Sequence, residues 1–317
     1  MVDVLVDPRE QIAFVRDCWS PAERAALVRR HREGEIVRVA RGAYVDATLW
    51  ESLDRAAQYR LRLHAVAERL SPNTIFSHES AAVLWRLPWI GSWPNRVHTA
   101  GMEASGGRSG VAVFQHTTGL SDHPDLIEGR LVTPLARTVV DIARTTSFAT
   151  AVTVADAALR RSFHPVDSIP ASALTREELQ GELALVPLRH GSAKARAVIE
   201  FADGRADRPG ESMSRVNIRI AGLPAPQLQV RMRGRSGRLW IVDFWWPESN
   251  LIGEFDGKWK YSEPEFLRGR TPHQVLLDEK FREDDLRAAA HNFTRWDWAL
   301  ALSPPRLRAH LLAAGLR

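Results

Sequence analysis

Cysteine is nearly absent from this 317-residue chain: Cys18 stands alone. An intrachain disulfide is therefore impossible, and a metal site built on several thiolates is excluded. Lysine is almost as scarce. Lys194, Lys258, Lys260 and Lys280 are the full set, so arginine carries nearly all of the positive charge. No run reaches the roughly 18 apolar residues that a membrane-spanning helix needs. The opening residues Met1 to Glu10 hold acids and a proline rather than a basic stretch leading into an apolar one, which is not the pattern of a secretory signal. These absences lead to the expectation of a cytoplasmic protein with no membrane partner.

What is present is ordinary for a globular chain. The hydrophobic fraction is 44% and the charged fraction 26%, enough apolar surface for real cores. At about 100–200 residues per domain, the length predicts two or three domains. The net charge of +5 and pI near 9.8 permit a nucleic-acid partner without requiring one. Arginine usage partly follows a GC-rich coding background, so the bias carries little weight.

The N-terminal third predicts short helices followed by a hairpin. Ser20-Pro21 with Glu23 is a helix start, with serine as the cap and proline in the first turn. The helix runs over Pro21–Arg32, and Glu35 to Val45 alternates as a β-hairpin turning at Gly42. That outline is a winged helix. Arg29, Arg30, Arg38 and Arg41 decorate it and are candidate DNA-backbone contacts; a protein-docking wing is the competing reading. A second helix is expected over Leu53–Leu70 and a third from Ser77, with Ser77 as its cap. Short strands follow at Arg96–Thr99, Val111–His116 and Arg130–Thr133, then helices from Thr133 and over Phe148–Arg160. His78, His98 and His116 fall in separate local patterns and read as ordinary core or surface histidines.

Gly204 to Gly210 has few apolar groups and is taken as a boundary. The predicted segments are 1–70, a winged-helix-like domain; 71–203, a helix-and-strand module; and 204–317, a mixed α/β sheet domain. The fold class is α+β. Beyond the boundary the expected order is helix–strand–strand–strand–helix–strand–helix.

The chemistry concentrates there. Leu239 to Asp243 is an apolar strand reaching an aspartate, and Leu251 to Glu254 is another reaching Glu254-Phe-Asp256. A hairpin of this length brings Asp243 near Glu254, and period-two alternation puts Glu254 and Asp256 on one face. Carboxylates so grouped repel one another unless a cation sits among them, and an all-oxygen donor set suits Mg²⁺ or Mn²⁺ rather than zinc. Such an ion polarises a phosphate and activates water. Lys258 or Lys280 is the candidate assisting lysine. Arg233, Arg235 and Arg238 form a basic turn fit for phosphate contact, and Arg282, after Lys280 on the next helix, is a further candidate DNA contact.

Val242-Asp243-Phe244, Glu254-Phe-Asp256-Gly257 and Glu279-Lys280-Phe-Arg282 through Leu286-Arg287, with Phe293-Thr-Arg295-Trp296 after them, resemble the Pro-Asp…(Asp/Glu)-x-Lys nuclease superfamily. More narrowly they resemble the very-short-patch-repair-endonuclease-like domain. The resemblance covers about the last 105 residues. It implies a restriction-endonuclease-like sheet, metal ligation by Asp243, Glu254, Asp256 and a first-helix glutamate, Glu211, and cleavage of DNA. Where the superfamily has its lysine this chain has Asp256, so a displaced lysine is required.

Gly34 to Tyr44, Ser77 to Trp85 and Val132 to Asp141 resemble AbiEi-type antitoxins, which are winged-helix autoregulators. That resemblance implies DNA binding and a toxin partner. The expected function is a metal-dependent DNA endonuclease with an N-terminal DNA-binding module. The alternative is a non-catalytic DNA-binding regulator or antitoxin with a degenerate nuclease domain.

Overall fold

A computed structural model of the chain describes residues 8–101, 110–117, 123–161, 174–186, 190–257, 271–289 and 291–317. The chain divides into two compact units, one holding Val2–Thr146 and Pro165–Glu200, the other Ser147–His164 and Phe201–Arg317. The expected break between 203 and 204 is thus crossed: the helix over Phe148–Arg160 belongs with the C-terminal residues.

In the first unit, α1 (Pro21–Arg32) starts at Ser20 with both halves of a capping box, Ser20 with the Glu23 amide and Glu23 with the Ser20 amide. Strands β2 (Ile36–Ala40) and β3 (Ala43–Asp46) form the predicted hairpin. Gly42 takes φ 71° in the turn, a conformation glycine adopts without a Cβ penalty. β1 (Ala13–Phe14) adds a third strand beside β3. The hairpin buries Val39, Ala43 and Val45 against Leu61 and Ala65 of α3 (Arg55–Ala67), while α2 (Ala47–Ser52) bridges hairpin and helix. Helices and a β-wing are therefore present as the periodicity predicted.

A five-stranded sheet follows in the order β6-β5-β4-β8-β7. Its strands are β4 (Ile75–Phe76), β5 (Val97–Ala100), β6 (Val113–His116), β7 (Asp125–Ile127) and β8 (Arg130–Val132). Sequence periodicity missed β4 and β7, which are only two and three residues long, too short to show a period. α4 (His78–Leu84) and α5 (Leu135–Thr145) pack in this unit, joined by α7 (Arg176–Leu185) and most of α8 (Ser192–Phe201). The Ser77 hydroxyl does not cap α4 as expected; it lies 3.1 Å from His78 Nδ1 instead.

The second unit contains α6 (Phe148–Arg160), α9 (Pro209–Ile220) and a four-stranded sheet of order β12-β11-β10-β9. The strands are β9 (Gln227–Arg233), β10 (Leu239–Trp246), β11 (Leu251–Phe255) and β12 (Asn292–Trp296). β9, β10 and β11 are antiparallel neighbours, whereas β11 and β12 are parallel. A parallel pair needs a crossover, and α10 (Pro272–Ala288) lies in it. α11 (Trp298–Ala301), a single turn not predicted, and α12 (Pro304–Ala313) end the chain. Leu286 of α10 packs with Val242, Ile252 and Phe293, whereas Trp246, Leu251, Phe255 and Trp296 pack with Leu307 and Leu311 of α12. The sheet thus has α10 on one face and α9, α11 and α12 on the second, with α6 packed on α9. This is the predicted α+β class with a mixed sheet.

Among the described residues, no helix is long and apolar enough to cross a membrane.

Candidate functional site

Val242 and Phe244 are two apart on β10, yet they enter different hydrophobic clusters on opposite faces of the sheet. A regular strand would put them on the same face. The irregularity is centred on Asp243 and on Gln229, which lies across from it on β9 with φ 50°. A non-glycine residue held left-handed stores strain of order 1–3 kcal/mol, and such strain gathers at functional sites. Here the distortion serves the carboxylates. Gln229 Nε2 lies 3.1 Å from Glu211 Oε2 and 3.5 Å from Asp243 Oδ1, joining the two acids.

Glu211 sits in the first turn of α9, 2% exposed. Its Oε2 also accepts the Asp207 amide at 2.8 Å. Burial, and then the neighbouring Asp243 charge, push the Glu211 carboxyl well above the usual carboxylate range. Asp243 Oδ2 accepts the Phe255 amide at 3.0 Å, across to β11. The β10–β11 register, Phe244 opposite Gly253, places Asp243 across from Glu254. Glu254 lies on the α10 face and pairs with Arg282 and, at 3.4 Å, with Arg295. Asp256 follows the end of β11; its amide donates to Trp296 O at 2.8 Å, and its Oδ1 is buried with no hydrogen-bond partner among the described residues.

The predicted residues are therefore brought together only in part. Glu211 joins Asp243 through Gln229, and Glu254 faces Arg282. No three of these carboxylates offer oxygens within 4.8 Å of one another; among the described residues only Glu79, His98 and His116 form such a group. The α10 side chain that reaches the carboxylates is Arg282, whose guanidinium pKa is lowered by burial and raised by the Asp243 charge. Lys280 is exposed, because residues two apart on a helix point about 200° apart. Arg282, expected to face DNA, is instead turned into the unit. Lys258 lies outside the described residues.

Arg233, Arg235 and Arg238 are exposed around a tight turn. The turn is tied down by Asp285 of α10, which accepts from the Ser236 amide at 2.7 Å, the Ser236 hydroxyl at 2.8 Å and Trp240 Nε1 at 2.7 Å. A Cβ at Gly234 would push the Asp285 carboxylate off these donors. Arg238 stacks on Trp240 at 4.3 Å.

In the first unit, Arg29 and Arg30 are exposed on α1, with Arg30 paired to Glu35 at 2.8 Å. Arg38 and Arg41 line a cleft of about 1220 Å³ together with Arg62 and Arg69. The last two escaped sequence reasoning. Their signal was a seven-residue spacing, which keeps both on one side of α3 and the turn after it.

Sequence reasoning also missed a second polar cluster. His98 and His116 share one face of the parallel β5–β6 pair, where His98 stands opposite Phe114 and Ala100 opposite His116. α4 packs against β5, bringing Glu79; Ser77 N donates to His98 O at 3.1 Å. His98 Nδ1 lies 2.7 Å from Glu79 Oε2 and 3.0 Å from His116 Nε2. His78 stacks on His116 with centroids 3.4 Å apart and planes at 8°. Burial first, then the neighbouring histidines, lowers His116 to about 3, so its ring is neutral. Nothing in the local sequence showed that the two strands pair in parallel, which is what brings these histidines together.

No protein-family model matches the chain. Two uncharacterized proteins of Mycobacterium tuberculosis, from strains CDC 1551 / Oshkosh and ATCC 25618 / H37Rv, are each 36% identical over 146 residues, 46% of this chain and 50% of theirs. The chain spans about half the length of the curated relatives it matches. Among solved structures, the crystal structure of the RV2827C protein from Mycobacterium tuberculosis is similar at a TM-score of 0.36 and 14% identity, over 65% of this chain and 75% of that one.

Proposed function

We propose that the C-terminal unit is a restriction-endonuclease-like domain that hydrolyses DNA phosphodiesters with Mg²⁺ or Mn²⁺, in a cytoplasmic protein. The wing arginines and the cleft they line supply DNA affinity. The observation that carries this reading is the Glu211–Asp243 pair: a carboxylate only 2% exposed, beside a second one, joined through a strained Gln229. Without a cation that arrangement opposes ionisation of Glu211. Magnesium is commonly held by one or two carboxylates, with water and phosphate oxygens completing its shell.

The residues present fit the ion. Glu211 and Asp243 would hold it, and Asp256 has a buried oxygen with no hydrogen-bond partner among the described residues. Bound there, the metal supplies Lewis acidity toward a phosphate and a more acidic water. Arg282 takes the cationic place that the resembling superfamily gives to lysine. A guanidinium does not release its proton in proteins, so its part is to orient Glu254 and neutralise charge rather than to act as a base.

Supercoiled plasmid with Mg²⁺ or Mn²⁺ tests the proposal. Wild type is expected to nick it, and Asp243→Ala and Glu211→Gln to be at least about 100-fold slower, the scale on which lost electrostatic stabilisation acts. Salt-sensitive binding without nicking by wild type would overturn it. One observation favours a second reading: the Glu254–Arg282 pair already neutralises a carboxylate. On that reading the protein is a non-catalytic DNA-binding regulator of the antitoxin type, with a toxin partner, and Asp243→Ala leaves DNA binding unchanged.

A further inference from the structure

The parallel β5–β6 pair and the first turn of α4 bring Glu79, His98 and His116 to one point, with ligand atoms all within 4.8 Å of one another. We propose that this point is a zinc site, independent of the carboxylates of the C-terminal unit.

Two imidazoles and one carboxylate are what zinc takes in open sites, where three protein ligands leave a fourth position free. In a tetrahedral site with bonds of about 2.0–2.1 Å, ligand atoms stand roughly 3.3 Å apart. The observed separations from His98 Nδ1, 2.7 Å to Glu79 Oε2 and 3.0 Å to His116 Nε2, need only a few tenths of an ångström of outward movement.

Hydrogen bonding alone serves the three atoms badly. His98 Nδ1 carries one hydrogen or one lone pair. With the hydrogen, it donates to Glu79 and cannot accept from His116. With the lone pair, it accepts from His116 and faces the Glu79 oxygen lone pair to lone pair. One of the two short contacts is unsatisfied in either tautomer, whereas a cation satisfies all three.

The surroundings are prepared as well. His78 lies flat on His116 and fixes its ring plane. His78 itself takes φ 50° at the start of α4, a strained conformation for a residue with a Cβ. The cluster opens on a cavity of about 640 Å³ bordered by Asn95, Arg96 and Thr145. The fourth position of the metal therefore faces solvent, where water or a small anion completes the shell beside Arg96.

The test uses the full chain stripped with chelator and then titrated with zinc by calorimetry, with metal content measured after desalting. One zinc per chain is expected. Glu79→Gln and His116→Gln are each expected to lower affinity by at least about 100-fold, the upper end of what even second-shell changes cost. Asp243→Ala is expected to leave zinc binding unchanged, which separates this site from the proposed magnesium site. Cobalt added to wild type is expected to give the intense visible bands of a tetrahedral nitrogen and oxygen site, a readout that needs no variant to fold. Absence of zinc and cobalt binding in wild type, or binding retained in both Gln variants, would overturn the proposal.

Discussion

Asp156 of α6 and Arg215 of α9 form a buried ion pair at 2.6 Å, and removing the arginine destabilises the fold by an amount that depends on pH. Asp156 is 1% exposed and also accepts from the Asp203 amide at 2.7 Å and the Ser212 hydroxyl at 2.8 Å. These bonds fix the start of α9, and with it Glu211. Burial pushes Asp156 up to about 6, against the pull of Arg215. In Arg215→Met the methionine keeps much of the packing against Phe201, but Asp156 loses its cation. Breaking a buried pair in this way costs about 3–5 kcal/mol when the remaining group must stay charged. The carboxyl escapes that cost by binding a proton, so its native pKa rises further above both 6 and the unfolded value of 3.8. The sign follows. A carboxyl with a raised native pKa binds its proton more tightly folded than unfolded, so stability falls as pH climbs from the unfolded to the native value. The variant's deficit relative to wild type is therefore greatest at pH 8, about 3–5 kcal/mol. At pH 5 it shrinks toward about 1 kcal/mol, the scale of the lost Arg215 hydrogen bond to Phe201 O. Urea unfolding of both proteins at the two pH values measures this. Equal deficits at pH 5 and pH 8, or less than about 1 kcal/mol at pH 8, would refute the reasoning.

Two further outcomes are expected. Glu211→Gln in metal-free protein should flatten the fall of stability with rising pH, because the raised native pKa of Glu211 makes the wild-type fold lose stability as that carboxyl ionises; parallel urea-midpoint profiles from pH 4 to 8 would rule this out. Arg38→Ala with Arg41→Ala should lower the slope of log K against log salt for duplex DNA by about 2 in magnitude, since each phosphate contact contributes roughly 0.9; an unchanged slope would remove the wing from the DNA interface.

The sequence by itself determined the elements. Ser20, Gly42 and the apolar run of Leu239 to Trp246 declare a capped helix, a turn and a strand through interactions within a few residues, and the structure has all three. The hairpin spacing likewise placed Asp243 opposite Glu254. Tertiary structure alone decided what the side chains meet. Arg282 rather than Lys280 reaches the carboxylates because of how α10 is rotated on the sheet. Gln229 joins Glu211 to Asp243 through a left-handed residue that no local pattern announces. Strands of two or three residues, β4 and β7, have no readable period, and a parallel pairing between β5 and β6 leaves no mark in either strand. Glu79, His98 and His116 therefore looked like unrelated residues, although 37 positions of chain close into a few ångströms. The scarcity of cysteine excluded thiolate chemistry from the start; which imidazoles and carboxylates converge in its place depends on contacts between residues far apart in the chain, and those exist only once the sheet has formed.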